Sequence, residues 1–200
     1  MVKLLSVIIF NKNNLCKPIV LYSDFYLADY GFFQRPTIMD ICLFASRQLT
    51  DKSTRESDGV LNYMEYNVYV RMLKSGLTVT CVTDDEYPTI AARSFIDKTL
   101  NIFISAFPNE DKYNTIKQDI SLNIPEIDKL LILAQNPGDI DKISAIKAEL
   151  EDTKDVIVKT IDDLLTRGET LDDLLKRTDD LTEQSKIFMI KTDKSCCNLF

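Results

Sequence analysis

The C-terminal residues CCNLF carry the clearest chemical signal in the sequence. Cys197 is the fourth residue from the end in a C-a-a-X arrangement, with Asn198 and Leu199 in the middle and Phe200 as X. The thiol of such a cysteine can be prenylated, and phenylalanine at X favours geranylgeranyl over farnesyl. Cys196 directly precedes it and is a candidate for reversible S-palmitoylation. The alternative is that a cysteine stands at this position by accident.

Two lipids on this tail would make a membrane anchor. One prenyl chain gives weak, reversible binding, and a stable anchor needs a second signal. Lys186, Lys191 and Lys194 make only a weak basic signal, because Asp193 lies between them, so Cys196 is the better candidate. No apolar stretch reaches the roughly 18–20 residues that span a bilayer. We therefore predict exchange between the cytosol and a membrane surface.

A heptad pattern follows the Pro-Gly boundary NPGD at 136–139 and continues to residue 192. Steps of three and four residues from Ile143 meet mostly apolar residues, some threonine and serine, and one arginine, Arg167. This spacing predicts one long helix, or a segment able to become one, that joins a left-handed coiled coil. The layer positions apart from Arg167 are Ile143, Ile146, Leu150, Thr153, Ile157, Thr160, Leu164, Leu171, Leu174, Thr178, Leu181, Ser185 and Phe188.

Arg167 has two interpretations. It could be a tolerated defect whose side chain reaches out of a two-stranded seam to water. It could instead fix register, because an unpaired charge inside a dry bundle costs several kcal/mol unless partner helices bring acceptors to its layer. Glutamine carbonyls would accept from the guanidinium, whereas a second copy of the chain would oppose arginine with arginine. We therefore predict unlike partner helices that carry glutamine at this layer.

The composition excludes several kinds of chemistry. The 200 residues include no histidine, which removes the commonest general base, the usual catalytic triads and most zinc sites. A net charge of −7 without a basic patch argues against nucleic-acid binding. No glycine-rich phosphate loop is present. Cys16, Cys42 and Cys81 stand alone in apolar segments and are expected to be buried thiols. We expect no catalytic residue and no metal.

Residues 1–136 have the pattern of a compact α/β domain that would position this segment. Strands are expected at 2–10 and 19–23, followed by a helix at 37–49 with Thr37 as its N-cap. Residues 53–59 are expected to form a loop. Three antiparallel strands are predicted at 60–63, 66–72 and 77–83. The sequence DDEYP then opens a helix, with an aspartate as its cap and Pro88 in its first turn. Pro125 starts or breaks a further helix.

These motifs together carry a family resemblance. The seam with its single arginine, TIDDLLTRGETLDDLLKRTDDL, resembles the motif of an R-SNARE. The stretches YGFFQRP and VTDDEYP resemble parts of the longin domain, and SCCNLF completes the pattern. The chain thus resembles the longin-domain R-SNAREs that carry prenyl and palmitoyl lipids, which are synaptobrevin-like proteins without a transmembrane anchor. Tails of that family commonly end in methionine, from which Phe200 departs.

The resemblance implies a fold and a domain order. The fold is α+β, with a longin (profilin-like) domain whose mixed or antiparallel sheet is flanked by helices, followed by a long coiled-coil SNARE helix. The longin domain would occupy residues 1–136, the R-SNARE motif 139–192 and the lipidated tail 193–200. Removal of 198–200 and methylation of the prenylated cysteine are implied as well.

The resemblance also implies a function. The chain would drive vesicle fusion on ER–Golgi, Golgi, endosomal or vacuolar routes by forming a four-helix bundle with three Q-SNARE helices (Qa, Qb and Qc). Arg167 would occupy the central layer, and a SNARE disassembly machinery would recycle the complex. No cofactor beyond the covalent lipids is implied, and the chain would cycle from the cytosol to Golgi, vesicle, endosomal and vacuolar membranes. The alternative is a lipid-anchored tether or adaptor, which could do without Arg167.

A prenyl group and an open heptad face are both sticky surfaces that a soluble form must hide. Val158, Ile161, Leu165 and Leu175 widen the apolar arc, so the segment could fold back onto the front domain. The resemblance implies this closed, autoinhibited form, and Phe44 in DICLFAS matches a residue of the family's wrapping surface. Phe32 and Phe33 are further candidates for this contact. Plain core packing is the alternative for all three phenylalanines.

Overall fold

The computed structural model describes residues 3–12, 17–63, 65–144, 156–165 and 168–197, with the backbone alone at 141–144, 156–158, 162, 177 and 191–197. Within these ranges, six strands form one sheet in the order β2-β1-β5-β4-β3-β6. The strands are β1 (Leu4–Asn11), β2 (Ile19–Phe25), β3 (Ser57–Tyr63), β4 (Tyr66–Met72), β5 (Leu77–Asp84) and β6 (Val156–Thr160). β6 runs parallel to β3, and the other neighbouring pairs are antiparallel, so the sheet is mixed.

The helices lie on both faces of this sheet. They are α1 (Arg35–Lys52), α2 (Thr89–Ala106), α3 (Asp111–Asn114), α4 (Pro125–Leu133), α5 (Pro137–Ser144), α6 (Leu171–Arg177) and α7 (Glu183–Cys197), with a 3₁₀ helix at Ile161–Leu164. Side chains alternate along β1, so Val7 and Ile9 pack under α2 while Leu5 packs under α1. We call β1 through α5 the sheet domain and residues 156–197 the wrapping segment.

The predicted α+β architecture is confirmed in the sheet domain. The alternating and continuous apolar runs predicted where the strands lie. Pro125 starts α4, which is one of the two alternatives that the sequence left open. The structure differs at 53–59, where β3 begins at Ser57 because that residue pairs with Met72 on β4. Ile140 on α5 is fully buried in the core under α2, so α5 packs with the sheet domain beyond the boundary proposed at residue 136.

The helix caps also differ from the sequence prediction. α1 begins at Arg35 rather than after Thr37, because Pro36 fits the first turn and Gln34 occupies the N-cap. α2 begins at Thr89 with Pro88 as its N-cap, and no side chain caps it. Asp84, in the DDEYP region, instead accepts a hydrogen bond from the backbone N–H of Lys3 at 2.6 Å.

The C-terminal half has a conformation other than one long helix. After α5 the described chain continues as β6, the 3₁₀ helix, α6 and α7. Gly168 has φ +84°, a left-handed conformation that a helix cannot contain. Thr170 then starts α6 with a capping box, in which its hydroxyl accepts from the Asp173 N–H and the Asp173 carboxylate accepts from the Thr170 N–H. The structure thus contains the form folded back onto the sheet domain.

Candidate interface between the sheet domain and the wrapping segment

The interface starts at the edge of the sheet. β6 pairs in parallel with β3 from Asp58 opposite Val156 to Asn62 opposite Thr160. The β-branched run Val156-Ile157-Val158 suits a strand, and it covers an edge that would otherwise expose unpaired backbone groups. The side chain of Lys159 links this strand to the end of α1, because its Nζ donates a hydrogen bond to the Lys52 carbonyl at 2.9 Å. Burial and the charge of Lys12 lower the pKa of Lys159.

The 3₁₀ helix inserts Leu164 into the core under α1. Leu164 is completely buried in a cluster with Leu5, Leu49 and Leu61, and Ile161 packs against the same cluster. Burying one leucine stabilises by about 1.5–3 kcal/mol. The wrapping segment therefore shares a core with the sheet domain and does more than lie on its surface.

A second apolar contact centres on Phe44. This side chain of α1 is fully buried in a cluster that we call the Phe44 cluster. Its other buried members, all from α6, α7 and their connection, are Leu174, Leu175, Leu181 and Met189. Ile41 and Tyr63 of the sheet domain pack around it, as do Leu165, Leu171 and Ile190 of the wrapping segment. Phe44 is thus buried by the wrapping segment.

Asp40, one turn before Phe44, holds the start of α7. Its Oδ2 accepts hydrogen bonds from Ser185 Oγ at 2.8 Å and from Thr182 Oγ1 at 3.0 Å. The Thr182 N–H also donates to the same oxygen at 3.3 Å. Hydrogen bonds to a charged acceptor are stronger than those between neutral groups. The first turn of α7 is thereby fixed over α1.

Arg47, one turn after Phe44, joins both halves of the chain. The side chain is 3% exposed, and its Nε lies 3.0 Å from Asp180 Oδ2 in the wrapping segment. Nη1 and Nη2 donate to the two oxygens of Asp119 at 3.2 and 2.6 Å, and Nη1 also donates to the Pro18 carbonyl. Loss of one partner of a buried ion pair costs about 3–5 kcal/mol. Arg47 therefore favours the conformation of the wrapping segment that places Asp180 beside its guanidinium.

The electrostatics of this site favour the ionised state of Asp119. Partial burial raises its pKa, but the hydrogen bonds from Arg47 and from the Val20 N–H outweigh burial and hold the pKa below its usual value. Lys17 adds to the effect and also pairs with Asp180 at 3.1 Å. One lysine, Lys17, and one arginine, Arg47, thus face Asp119 and Asp180 where the wrapping segment leads into α7.

The seam positions predicted from the heptad pattern fall into three groups. Leu164, Leu174, Thr178, Leu181 and Ser185 are buried, and Leu171 is partly buried. Thr160 and Phe188 are exposed, Phe188 to 48%. Ile143 and Ile157 lie on a helix and a strand whose side chains are outside the description, and Ile146, Leu150, Thr153 and Arg167 lie outside the described residues. The structure therefore brings the C-terminal half of the seam onto the sheet domain.

Phe32 and Phe33 do not belong to this interface. Their side chains are 77% and 86% exposed, and the two rings contact each other edge to face with centroids 5.5 Å apart. The predicted closed-state contact is wrong for these two residues, and so is the core alternative. The reason is local: the turn before α1 presents both rings outward, while the wrapping segment packs on the face of α1 that carries Asp40, Phe44 and Arg47.

The tail cysteines lie at the end of the described chain. α7 ends at Cys197, and the positions of the Cys196 and Cys197 side chains are outside the description. The other described cysteines, Cys42 and Cys81, are free and buried. Burial raises the pKa of the Cys42 thiol to about 12 and that of Cys81 further still, so neither is a reactive thiolate. Cys16 lies outside the described residues.

Sequence reasoning missed Asp40, Arg47 and Asp180. A signal for the first two is present, because Asp40, Phe44 and Arg47 are spaced by four and three residues and so share one face of α1. A charged residue on each side of a buried phenylalanine marks a face that meets a polar-rimmed partner. Nothing local marks Asp180, which becomes important only when the wrapping segment is in place.

Comparisons with known proteins identify the family of each part of the chain. The Longin family model, described as a regulated-SNARE-like domain, matches residues 27–129, and the Synaptobrevin model matches residues 142–195. Synaptobrevin homolog ykt6 of Schizosaccharomyces pombe is 33% identical over 173 residues, 86% of each chain. Synaptobrevin homolog YKT6 of Saccharomyces cerevisiae is 31% identical over 176 residues, 86% of each chain. VAMP-like protein YKT61 of Arabidopsis thaliana is 29% identical over 184 residues, 91% of each chain.

A longin domain joined to a synaptobrevin-type segment defines a regulated SNARE. The chain belongs to the longin-domain R-SNARE family together with these YKT6 homologues, and it is an R-SNARE of vesicle trafficking that assembles with SNARE partners. In the described parts of the chain, no helix is both long and apolar enough to cross a bilayer.

Proposed function

We propose that the chain drives fusion of vesicle membranes by pairing residues 139–192, as one helix, with three Q-SNARE helices (Qa, Qb and Qc). Arg167 lies at the central layer of this bundle and meets glutamine from each partner. Assembly from the N-terminal layers toward the tail draws the two bilayers together. A SNARE disassembly machinery then returns the chain for another round. The folded-back form in the structure is the autoinhibited state.

One observation carries this proposal: the interface buries the same side chains that a four-helix bundle must bury. Leu164, Leu174 and Leu181 are seam positions, and each is at most 6% exposed against the sheet domain. A side chain cannot occupy both cores at once. The wrapped form and the bundle therefore compete, and the contacts of α1 set the free-energy difference between them.

The proposed lipids complete the function. A prenyl group on Cys197 and a palmitoyl group on Cys196 serve as a two-part anchor, and no other cofactor is involved. The chain cycles between the cytosol and the cytosolic face of Golgi, vesicle, endosomal and vacuolar membranes. The support is the C-a-a-X tail together with α7, which carries both cysteines to its end.

A lipid-anchored tether remains the second candidate, because a coiled coil can recruit a partner without fusing membranes. A tether has no need of an arginine at the central layer, so substitution of Arg167 separates the two functions. We assign no catalytic activity to the chain. The aspartates of the interface contact other protein groups rather than an open cavity. Asp40 binds α7, and Asp119 and Asp180 both pair with Arg47.

The autoinhibited state is tested by loosening the Phe44 cluster from both sides. Phe44→Ala removes the contact from α1, and Met189→Ala removes it from α7 without altering a seam position. Loss of a large buried side chain costs about 2–5 kcal/mol, which shifts a marginal equilibrium by at least about thirtyfold. Hydrogen exchange of the full chain should then accelerate across 156–197 in both variants, and assembly with Q-SNARE helices should become faster.

Phe95→Ala is the matched control, since Phe95 is also fully buried on a long helix but packs in the core under α2. This variant should lower the melting temperature without selective exchange at 156–197. Unchanged exchange at 156–197 in both Phe44→Ala and Met189→Ala would refute the competition between wrapped and assembled forms. Loss of protection throughout the Phe44→Ala chain would make Phe44 an ordinary core residue.

A further inference from the structure

Phe32 and Phe33 form an exposed apolar projection that the wrapped form leaves uncovered. Their exposed fractions, 77% and 86%, are higher than those of the other large apolar side chains in the described residues. Transfer of two such adjacent rings out of water is favourable, because the apolar surface of both leaves water in one step. The projection therefore needs an explanation beyond the scattered apolar residues that any surface carries.

The turn that presents these rings is firmly held. Gln34 Oε1 accepts from the Gly31 N–H at 3.1 Å, and the Gln34 N–H donates to the Gly31 carbonyl at 2.8 Å. Arg35 Nε donates to the Tyr30 carbonyl at 3.0 Å. The backbone around the two phenylalanines is thus satisfied by hydrogen bonds, and both rings point outward from an ordered turn rather than from a loose loop.

The start of α7 lies over the beginning of the helix that follows this turn. Asp180 contacts Arg47, and Ser185, five residues later, contacts Asp40. From Asp40 back to Arg35, α1 rises about 8 Å. The first turn of α7, the helix that ends at Cys197, therefore lies over the part of α1 that is nearest to the two phenylalanines.

We propose that Phe32 and Phe33 insert into the interfacial region of a phospholipid bilayer and dock the sheet domain on the membrane that holds the lipid anchor. A convex projection offers no walls for a ligand, and it would need a matched cavity in a rigid partner, whereas a bilayer interface accepts it without one. Aromatic and aliphatic side chains on the buried face of a membrane-surface element are the usual insertion residues. The inference deepens the proposed function and rests on its lipid anchor.

The charges near the turn are compatible with this partner. Asp29, a carboxylate close to the turn, is paired with Lys3 at 2.7 Å. Arg35, two residues after Phe33, is exposed and keeps its guanidinium beside the turn. Tyr30, at the start of the turn, also lines a surface hollow that contains Glu65, Asp84, Asp85 and Glu86. These charges favour a zwitterionic headgroup layer over an anionic one.

Tryptophan fluorescence on tethered protein tests the proposal. The sequence has no tryptophan and no histidine, so one introduced indole gives the whole tryptophan signal, and a C-terminal oligohistidine tag holds the full chain on nickel-chelating phosphatidylcholine vesicles. This tether replaces the lipids, so the result does not depend on whether Cys196 and Cys197 are modified. Phe33→Trp and Phe32→Trp are compared with Ile90→Trp, which replaces an apolar residue of similar exposure, 75%, at the start of α2.

We expect blue-shifted emission and quenching by brominated phosphatidylcholine at positions 32 and 33, and neither change at position 90. In untagged protein, Phe32→Ser with Phe33→Ser should weaken vesicle binding by at least about tenfold, because each ring contributes roughly this factor when it leaves water. Ile90→Ser should not weaken it. Emission at 32 and 33 equal to that at 90 would overturn the proposal. A blue shift that needs no vesicles and grows with protein concentration would also overturn it, in favour of a second copy.

Discussion

At the scale of single residues, the interface depends on a few polar groups placed around Phe44. Asp40 and Arg47 lie one turn away on either side and each binds a different point of the wrapping segment. Apolar contact is non-directional, so these two polar residues determine which conformation of the segment fits. The same division holds at the central layer proposed for the bundle, where Arg167 would select register among apolar layers.

Arg167→Gln tests that role directly. The sheet domain should remain folded, because Arg167 lies outside the residues that build it. The reconstituted bundle with three Q-SNARE helices should melt at a lower temperature, since glutamine would face glutamine and the donors of the guanidinium would be lost. Thermal melting of the complex and a vesicle fusion assay are the measurements. An unchanged melting temperature with unchanged fusion would contradict register control and favour the tether.

The depressed pKa of Asp119 predicts how acid weakens the Arg47 site. A carboxyl group whose folded pKa lies below its unfolded value of about 3.9 contributes stability at higher pH and loses it as pH falls through the folded pKa. Asp119→Asn should therefore lower the free energy of unfolding at neutral pH. The expected loss is at most about 1 kcal/mol, because the side chain is 52% exposed and solvent screens the pair.

The measurement is the unfolding free energy of both proteins between neutral and acid pH. The difference should shrink as pH falls below about 4, because the carboxyl of the unfolded chain takes up a proton first and that of the folded chain follows at its lower pKa. Asp111→Asn, an exposed carboxylate of α3, is the control and should show no such convergence. A constant difference across this range would mean that Asp119 acts through packing rather than through its charge.

Single residues also show where sequence reasoning reached its limit. The family resemblance offered Phe44, Phe32 and Phe33 alike as contacts of the closed form, with core packing as the alternative, and for Phe32 and Phe33 both interpretations were wrong. An aromatic pair in a loop has the same letters whether its rings point inward or outward. The orientation of the two rings here follows from hydrogen bonds of Gly31, Gln34 and Arg35. Such hydrogen bonds leave no periodic pattern of apolar residues in the sequence.

At the scale of elements, the sheet domain was largely predictable and the wrapping segment was not. The alternation of apolar residues in strands and their spacing in helices both reflect burial against one fixed core. The elements from β1 to α2 pack against such a core. In the proposed function, residues 156–197 pack in two different cores at different times. Their heptad spacing predicts the helix of the proposed bundle, while the wrapped form uses the β-branched run at 156–158 as a strand and Gly168 as a break.

Gly168 offers a way to shift the balance between these two forms. Its φ of +84° suits glycine, and an added Cβ would meet nothing within 4 Å, so Gly168→Ala brings backbone strain without a clash. The left-handed conformation costs alanine about 1–2 kcal/mol. In a continuous helix the same change gains about 1 kcal/mol. The combined effect of about 2–3 kcal/mol should favour the helical form by roughly thirtyfold or more.

Circular dichroism and hydrogen exchange of the full chain measure this shift. Helix content and exchange at 156–165 should both rise in Gly168→Ala. Gly138→Ala is the matched control, because Gly138 lies in α5 without a left-handed backbone, and its added Cβ would make an ordinary contact with Asn136 Oδ1 at 3.9 Å. If Gly168→Ala and Gly138→Ala behave alike, the glycine break does not hold the wrapped form.

At the scale of the whole molecule, the proposed function gives the C-terminal half of the chain two mutually exclusive conformations. Wrapped, the segment completes the sheet edge through β6 and hides seam residues under Phe44. Released, it presents those residues to partners. Where the free-energy difference between the two forms is small, as the proposed competition requires, single contacts of a few kcal/mol can control it.

The tail cysteines couple this equilibrium to the membrane in the proposed function. Cys197→Ser should make the chain wholly cytosolic, since prenylation precedes palmitoylation and Cys196 alone gives no stable membrane residence. Cys196→Ser should leave weak, exchanging contact, because one lipid binds reversibly. Phe44→Ala should raise the membrane fraction when both cysteines are present and leave Cys197→Ser in the cytosol. Fractionation of cells that express each variant decides the matter. A Cys196→Ser protein as firmly bound as the unaltered chain would contradict the two-lipid anchor. Release of that protein by Phe32→Ser with Phe33→Ser would then assign the second membrane contact to the aromatic turn.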